Sequence, residues 1–279
     1  MILKRLHTLK FEDNDIYRIA SYQDKIIVNE DFHGIRILDL SLNTIKIIPI
    51  TEGLIVDFIY KKTDGNAIIV CDLENNRLIL VDLQFFTHSI IQLDEPSTCY
   101  FFSRNYYWIK DIFILAIENE NIFYQLNFES LTLAKIPPKK VKDIALQFFV
   151  FSNACRKYKA ITIYPEKEAF IFKKNRNLIG FYDYKNKNVI LKKYKLGFFE
   201  EEVYYHRDSF IFLHFWEKAI VFQKNKCFLS SAEPNYYCLR IDFLNNDTMV
   251  ILETNKDDHK FCILSVYELN IRPLSKLVF

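Results

Sequence analysis

The chain has 279 residues, half of them apolar and 16% aromatic, which supplies a large core and excludes a disordered protein. Its 37 basic and 35 acidic residues give a net charge of +2, well short of the basic excess typical of nucleic-acid binders, so such binding is not expected. The five glycines are too few for folds that cradle phosphates in glycine-rich loops, and no cofactor is expected.

The N-terminal segment and the cysteines bear on location. In MILKRLHTLKFEDN, charged residues interrupt every apolar pair, so we expect no secretory signal. No stretch of the chain approaches the roughly 18 uncharged apolar residues that span a bilayer. The six cysteines lack close pairs, and Cys71, Cys238 and Cys262 sit in apolar runs, which is typical of buried free thiols. We therefore expect a cytoplasmic protein without membrane contact.

A unit of about 40 to 45 residues repeats along the chain. Its most regular part is an apolar run that leads to Asp39, Asp82, Asn127 or Asp183, as in GIRILDL and RLILVDL. Two weaker copies place Gln223 and Ser265 at the matching position. Because a short acceptor at a strand end can bind the amides of the following turn, we expect these side chains to be structural.

Strand-like runs rich in Ile, Val, Phe and Tyr surround each copy. Before it come two runs. The first is DIALQFFVF, 143–151, in the fourth copy, and the second reads DKIIVNE, NAIIVCD, DIFILAI, EAFIFKK, SFIFLHF or TMVILET. A polar turn and another apolar run, such as TIKIIPI, come after it. Helical periodicity is nearly absent. The sequence therefore predicts four antiparallel strands per unit and an all-β fold.

This unit resembles the blade of the β-propeller superfamily, over nearly the whole chain. It lacks the Trp-Asp pairs of WD repeats, so no catalytic residues are carried over. The resemblance implies a single propeller domain over 1–279 with about six four-stranded blades. One interval of 56 residues, between Asn127 and Asp183, indicates an extra hairpin near 156–168 or a displaced blade boundary. A count of seven blades is therefore an alternative. Segments 2–10 and 271–279 are strand-like, and we expect both termini to close the ring.

Charges on the loops suggest a binding face. In propellers, the loop joining the second and third strands shares a face with the loops between blades. On that face we expect an acidic sector beside a basic one, together with an exposed tryptophan: Asp72, Glu74, Asp94, Glu95, Glu118, Glu120, Lys173, Lys174, Arg176 and Trp216. Such polarity can steer a protein partner.

Catalytic motifs are absent from the sequence. The leading prediction is therefore a non-enzymatic protein-binding propeller, in one version an immunity or antitoxin-like protein that neutralises a toxin. One alternative is a hydrolase or lyase acting on a sugar-like substrate at the channel mouth. It would use His206 with Glu201 or Glu202 of the Glu200–Glu202 run, and Asp57 or Asp242. The other alternative is a scaffold subunit of a larger complex. No catalytic residue and no metal ligand is assigned.

Overall fold

A computed structural model describes residues 2–61, 66–72, 74–93, 106–109, 112–117, 122–127, 130–137, 139, 154, 157–158, 160–164, 169–175, 178–193, 202–206, 209–213, 220–222, 233–245 and 247–270. The sheets formed by these residues consist of β-strands, every pair of neighbouring strands being antiparallel, and Lys139, Ala154 and Lys157 are helical. The residues form two compact units, one from the two ends of the chain and one from its middle. No helix in the described part is long and apolar enough to cross a membrane.

The first unit comprises Met1–Gly53 and Phe198–Phe279, with three sheets. The first sheet contains β2 (Ile19–Tyr22), β3 (Lys25–Glu30), β4 (Gly34–Leu38) and β5 (Thr44–Pro49), in that order. The second contains β18 (Glu202–His206), β19 (Ser209–Leu213) and β20 (Ile220–Phe222). The third combines β21 (Tyr236–Phe243), β22 (Thr248–Asn255) and β23 (Cys262–Asn270) with the N-terminal strand β1 (Ile2–Phe11).

The second unit, Leu54–Gly197, contains three four-stranded sheets. The first is formed by β6 (Phe58–Lys61), β7 (Ala67–Asp72), β8 (Arg77–Asp82) and β9 (Thr87–Gln92). The next is formed by β10 (Tyr106–Ile109), β11 (Ile112–Ile117), β12 (Ile122–Asn127) and β13 (Thr132–Ile136). The last is formed by β14 (Ala160–Tyr164), β15 (Ala169–Asn175), β16 (Leu178–Asp183) and β17 (Asn188–Lys193).

Each of the six predicted second strands is found, as β3, β7, β11, β15, β19 and β22. The 56-residue interval has a different explanation from the predicted extra hairpin. Ala160–Tyr164 is the first strand of its own sheet and pairs with β15, so this part of 156–168 belongs to the regular four strands. The run 143–151, expected to be that first strand, lies outside the described residues. The blade count and the single domain stay predictions.

The recurring Asp and Asn side chains bind the turns that follow them, as predicted. Asp39 accepts the N–H groups of Ser41 and Asn43, both at 2.8 Å. The matching bonds to the next turns come from Gln84 and Phe85 to Asp82, from Ser130 to Asn127, and from Asn186 to Asp183. The side-chain hydrogen bond from Asn43, and after it the backbone bond from the same residue, lowers the pKa of Asp39. These residues are therefore structural.

Ser265 departs from this pattern. It lies within β23 rather than at its end, is fully buried, and its hydroxyl is 3.3 Å from that of Thr8. No turn cap is needed because the neighbouring strand, β1, comes from the N-terminus: Ile2 pairs with Asn270 and Phe11 with Cys262. The predicted completion of the last sheet by a terminal strand is confirmed for 2–10. Segment 271–279 lies outside the described residues, and ring closure stays a prediction.

Apolar side chains pack between neighbouring sheets of each unit. In the first unit, Phe11, Ile26 and Leu38 share a core with Leu252 and Leu264. In the second, Ile69 and Leu78 pack with Tyr124 and Leu126. Cys71, Cys238 and Cys262 are buried free thiols, as expected. The fold therefore places its apolar surface between sheets and leaves the loops at the sheet ends to solvent.

Candidate functional site

Loops between sheets return over the hairpin tips. After β5, the N–H of Ile50 donates to the carbonyl of His33 in the β3–β4 tip at 2.8 Å. After β1, the N–H of Asn14 reaches the Lys260 carbonyl in the β22–β23 tip at 3.1 Å. In the second unit, Leu93 bonds to the Asn76 carbonyl in the same way, at 2.8 Å. This confirms that the two kinds of loop share one face.

Asn29 fixes the loop before β2 onto the β3–β4 tip. Its side-chain oxygen accepts the N–H groups of Tyr17 at 2.9 Å and Arg18 at 2.8 Å. Its amide nitrogen donates to the carbonyls of Asp15 at 2.6 Å and Asp31 at 3.2 Å. The side chain is fully buried, and these four bonds use both of its hydrogens and both acceptor positions. The two loops are therefore held as one rigid surface.

Glu30 also stabilises the contact between these two loops. Its carboxylate accepts Nδ2 of Asn14 at 3.0 Å and Nε of Arg36 at 2.5 Å, and the Asn14 oxygen accepts the N–H of Asp31 at 2.9 Å. The Arg36 guanidinium also lies over the Phe11 ring, 5.4 Å from its centroid. Buried charge is thus paired and hydrogen-bonded, as burial requires.

Two aromatic rings lie on the solvent side of this scaffold. Tyr17 and Phe32 contact each other with centroids 6.0 Å apart and planes tilted by 30°. Phe32 is 42% exposed although it is large and apolar. We call the loops at 12–18, 31–33, 50–53 and 256–261 the tip surface. Tyr17 is half-buried. A rigid aromatic pair of this kind, with one ring exposed, is typical of the anchor residues of protein interfaces.

The tip surface is acidic although the chain as a whole is not. Its exposed and half-buried ionisable side chains comprise seven acids and three bases, the histidines apart: Glu12, Asp13, Asp15, Asp31, Glu52, Asp257 and Asp258, with Arg18, Lys256 and Lys260. Partial burial raises the pKa of Asp15; nearby His259 and Lys260 oppose this rise, and Asp31 and Asp258 add to it. The loops that carry the aromatic pair therefore have an excess of acids.

The binding residues predicted from sequence have different outcomes. Asp72 is fully buried, where its carboxylate binds Arg77 and the side chain of Asn75, so it is not an exposed acid of a binding face. Glu74, Lys173 and Lys174 are exposed, as a binding role requires. The others lie outside the described residues: Asp94, Glu95, Glu118, Glu120, Arg176 and Trp216.

Among the described residues, the structure does not bring together the candidate catalytic side chains of the enzyme alternative. His206 and Glu202 lie at opposite ends of β18, and Glu200, Glu201 and the side chains of that strand lie outside the described part. Asp242 accepts the N–H of Ser21 at 2.5 Å, which links β21 to β2. Among the residues described, no three His, Cys, Asp or Glu side chains are grouped to hold a metal ion.

Sequence reasoning did not identify Tyr17, Phe32 or Asn29. The available signal was Asn29 itself, an amide side chain inside the apolar run KIIVNE, because a buried amide must be satisfied by nearby backbone. The acidic sector was expected in the second and third units of the repeat. Four of its acids, Asp94, Glu95, Glu118 and Glu120, lie outside the described residues, so that sector stays a prediction. Among the described residues, an acidic excess lies in the loops of the first and last sheets.

Comparison with solved structures identifies the architecture. The β-propeller domain of Cps50 (Swd1) from Myceliophteria thermophila aligns with a TM-score of 0.53 and 8% identity, covering 96% of this chain and 100% of that domain. A streptogramin B lyase aligns with a TM-score of 0.43 and 14% identity, covering 95% and 88%. The prediction of an all-β propeller is confirmed. No family model and no curated protein matches the sequence.

Proposed function

We propose that this chain is a non-enzymatic propeller that binds a protein partner through the tip surface. The observation that carries the proposal is the Tyr17–Phe32 pair, in which Phe32 is exposed and Tyr17 half-buried. The pair lies in acidic loops that the fully buried Asn29 holds together. Rigid aromatic anchors bind with little loss of side-chain entropy, and complementary charge increases the association rate. The partner therefore presents a basic, partly apolar surface.

A toxin with a basic active site satisfies this description, and the finer proposal is that the chain is a cytoplasmic immunity or antitoxin-like protein. An acidic surface can cover a cleft that normally accepts phosphates, because it competes for the same cations. A scaffold subunit of a larger complex would use the same surface, but would bind its partner without changing that partner's toxicity.

Affinity capture from the native host tests the binding proposal. Tagged protein is expected to retain a stoichiometric partner at low salt, and to lose it as ionic strength rises because the contact is largely electrostatic. The Phe32→Ala, Asp31→Asn double variant should lose the partner. Phe85→Ala is the matched control, because Phe85 is 69% exposed in the turn after β8 and lies outside the tip surface.

Two results would overturn the proposal: no stoichiometric partner, or a partner retained equally by the double variant. Co-expression then tests the finer version. A captured toxin should arrest growth alone and become harmless with the wild-type chain, whereas a partner that is harmless when expressed alone would favour the scaffold.

A further inference from the structure

We infer that the tip surface recognises an arginine side chain of its partner, placed against the Tyr17–Phe32 pair and bonded to the neighbouring carboxylates. This inference rests on the proposed function and names the chemistry of its contact. The aromatic faces and the carboxylates both attract cations, and they are neighbours in the chain: Asp31 precedes Phe32 directly, and Asp15 is two residues before Tyr17. The two loops are joined by the contact between the rings, and the two carboxylates interact with each other.

The planar guanidinium group fits this combination better than an ammonium group. It can stack on a ring while its edge donates two parallel hydrogen bonds to a carboxylate, and it is more weakly hydrated, so it costs less to desolvate. An ammonium group behaves as a compact, strongly hydrated point charge and gains less from a ring face. The surface is therefore expected to prefer arginine to lysine.

The molecule already uses this combination internally. The Arg36 guanidinium lies 5.4 Å from the Phe11 centroid while it binds the Glu30 carboxylate. On β1, Arg5 shows the ring contact with a hydroxyl group, rather than a carboxylate, as its hydrogen-bond partner: its guanidinium lies 5.5 Å from the Tyr267 centroid, and Nε donates to the Tyr267 hydroxyl at 3.1 Å. The tip surface offers an aromatic pair and carboxylates of the same kind at the solvent boundary.

Partial burial strengthens the expected contact. Asp15 and Asp31 are both half-buried, so an ion pair formed there is screened less than one at a fully exposed loop. The bases that act on Asp15 are His259 and Lys260, and the acids are Asp31 and Asp258. Because the local balance is acidic, a second cation is attracted even with Lys260 in place.

Fluorescence anisotropy with labelled hexa-arginine and hexa-lysine peptides tests the inference on the full chain. We expect the arginine peptide to bind about two- to fivefold more tightly, the range given by a cation–aromatic contact at an exposed site. Phe32→Ala should abolish this preference. Asp31→Asn should weaken the binding of both peptides, since it removes charge and leaves the rings in place.

The variants are chosen to preserve the fold. Asp31 has a φ of 48°, a left-handed conformation that asparagine adopts readily, so Asp31→Asn keeps the turn. Phe85→Ala removes a still more exposed ring elsewhere and should leave the preference unchanged. Equal binding of the two peptides by the wild-type chain, or an arginine preference that persists in Phe32→Ala, would overturn the inference.

The two proposals fail separately. If a stoichiometric partner is captured through Phe32 but the peptides show no arginine preference, the partner-binding function stands and the arginine contact is refuted. If the preference is present and depends on Phe32 while no partner is captured, the contact stands and the proposed function is refuted.

Discussion

Glu30 and Asp72 end the second strands of their sheets, and each is buried against an arginine of the third strand. The side chain of Glu30 is 8% exposed and pairs with Arg36, while that of Asp72 is fully buried and pairs with Arg77. Asp72 also accepts Nδ2 of Asn75 at 2.8 Å. Arg77 lies directly across the ladder from Asp72, whereas Arg36 lies two residues beyond Gly34, the partner of Glu30. A charge at these positions is tolerated only because the third strand provides a guanidinium group within reach.

Removal of Arg77 should therefore destabilise the fold. Arg77→Met leaves the Asp72 carboxylate buried without its counter-charge, and we expect a loss of about 3 kcal/mol in the free energy of unfolding by urea titration. The Asp72→Asn, Arg77→Met double variant should recover part of that loss, because the neutral amide removes the uncompensated charge. A single variant within about 0.5 kcal/mol of the wild type, the range of an ordinary surface change, would show that the pair is not structurally required.

At the level of the element, the turn between the third and fourth strands is built in the same way in four sheets. An Asp or Asn binds the turn amides, and a later residue adopts a left-handed conformation: Leu42, Phe86, Leu131 and Lys187 have φ values of 66°, 55°, 53° and 52°. None of these four is glycine or asparagine, the residues that adopt this conformation at least cost. Each turn therefore carries strain that the sheet holds in place.

Lys187→Gly should relieve this strain. Lys187 is exposed and no packing is lost with its side chain, so we expect a gain of about 0.5 kcal/mol, the relief of left-handed strain less the entropic cost of glycine. Lys185→Gly is the matched control, since Lys185 is exposed in the same turn without a positive φ and should lose stability. Thermal unfolding of both variants measures the difference. If the two substitutions shift the melting temperature equally, the conformation of Lys187 is not strained.

Elements were predictable where local chemistry decides them. Apolar runs with polar tips defined the second strands, and the recurring acceptors identified the turns. The first strand of the sheet at β14 was misplaced because 143–151 and AITIY have similar strand composition, and composition cannot choose between them. The burial of Asp72 depends on pairing across the hairpin with Arg77. The tip surface depends on Asn29 of β3, whose side chain binds Tyr17, twelve positions earlier in the chain. Contacts of this kind are set by packing rather than by local pattern.

For the molecule as a whole, the first unit joins the two ends of the chain. Its core combines Phe11, Ile16 and Ile26 from the N-terminal part with Val250 and Leu264 from the C-terminal part. The side chain of Arg5 on β1 donates a hydrogen bond to that of Tyr267 on β23, 262 positions later in the sequence. Such a contact can form only after a loop of most of the chain has closed, and closing so long a loop has an entropic cost. We therefore expect β1 to dock late in folding.

Phe11→Ala tests this order. Phe11 is 5% exposed, and truncation of a buried phenylalanine should cost about 3 to 5 kcal/mol at equilibrium. If β1 docks after the main barrier, the loss should appear mostly as faster unfolding, with the refolding rate nearly unchanged in stopped-flow urea experiments. Leu6→Ala in the same strand is the matched control, because Leu6 is 40% exposed and should change stability by about 0.5 kcal/mol or less. If the whole loss of stability in Phe11→Ala appeared as slower refolding, with the unfolding rate unchanged, β1 would belong to the folding nucleus instead.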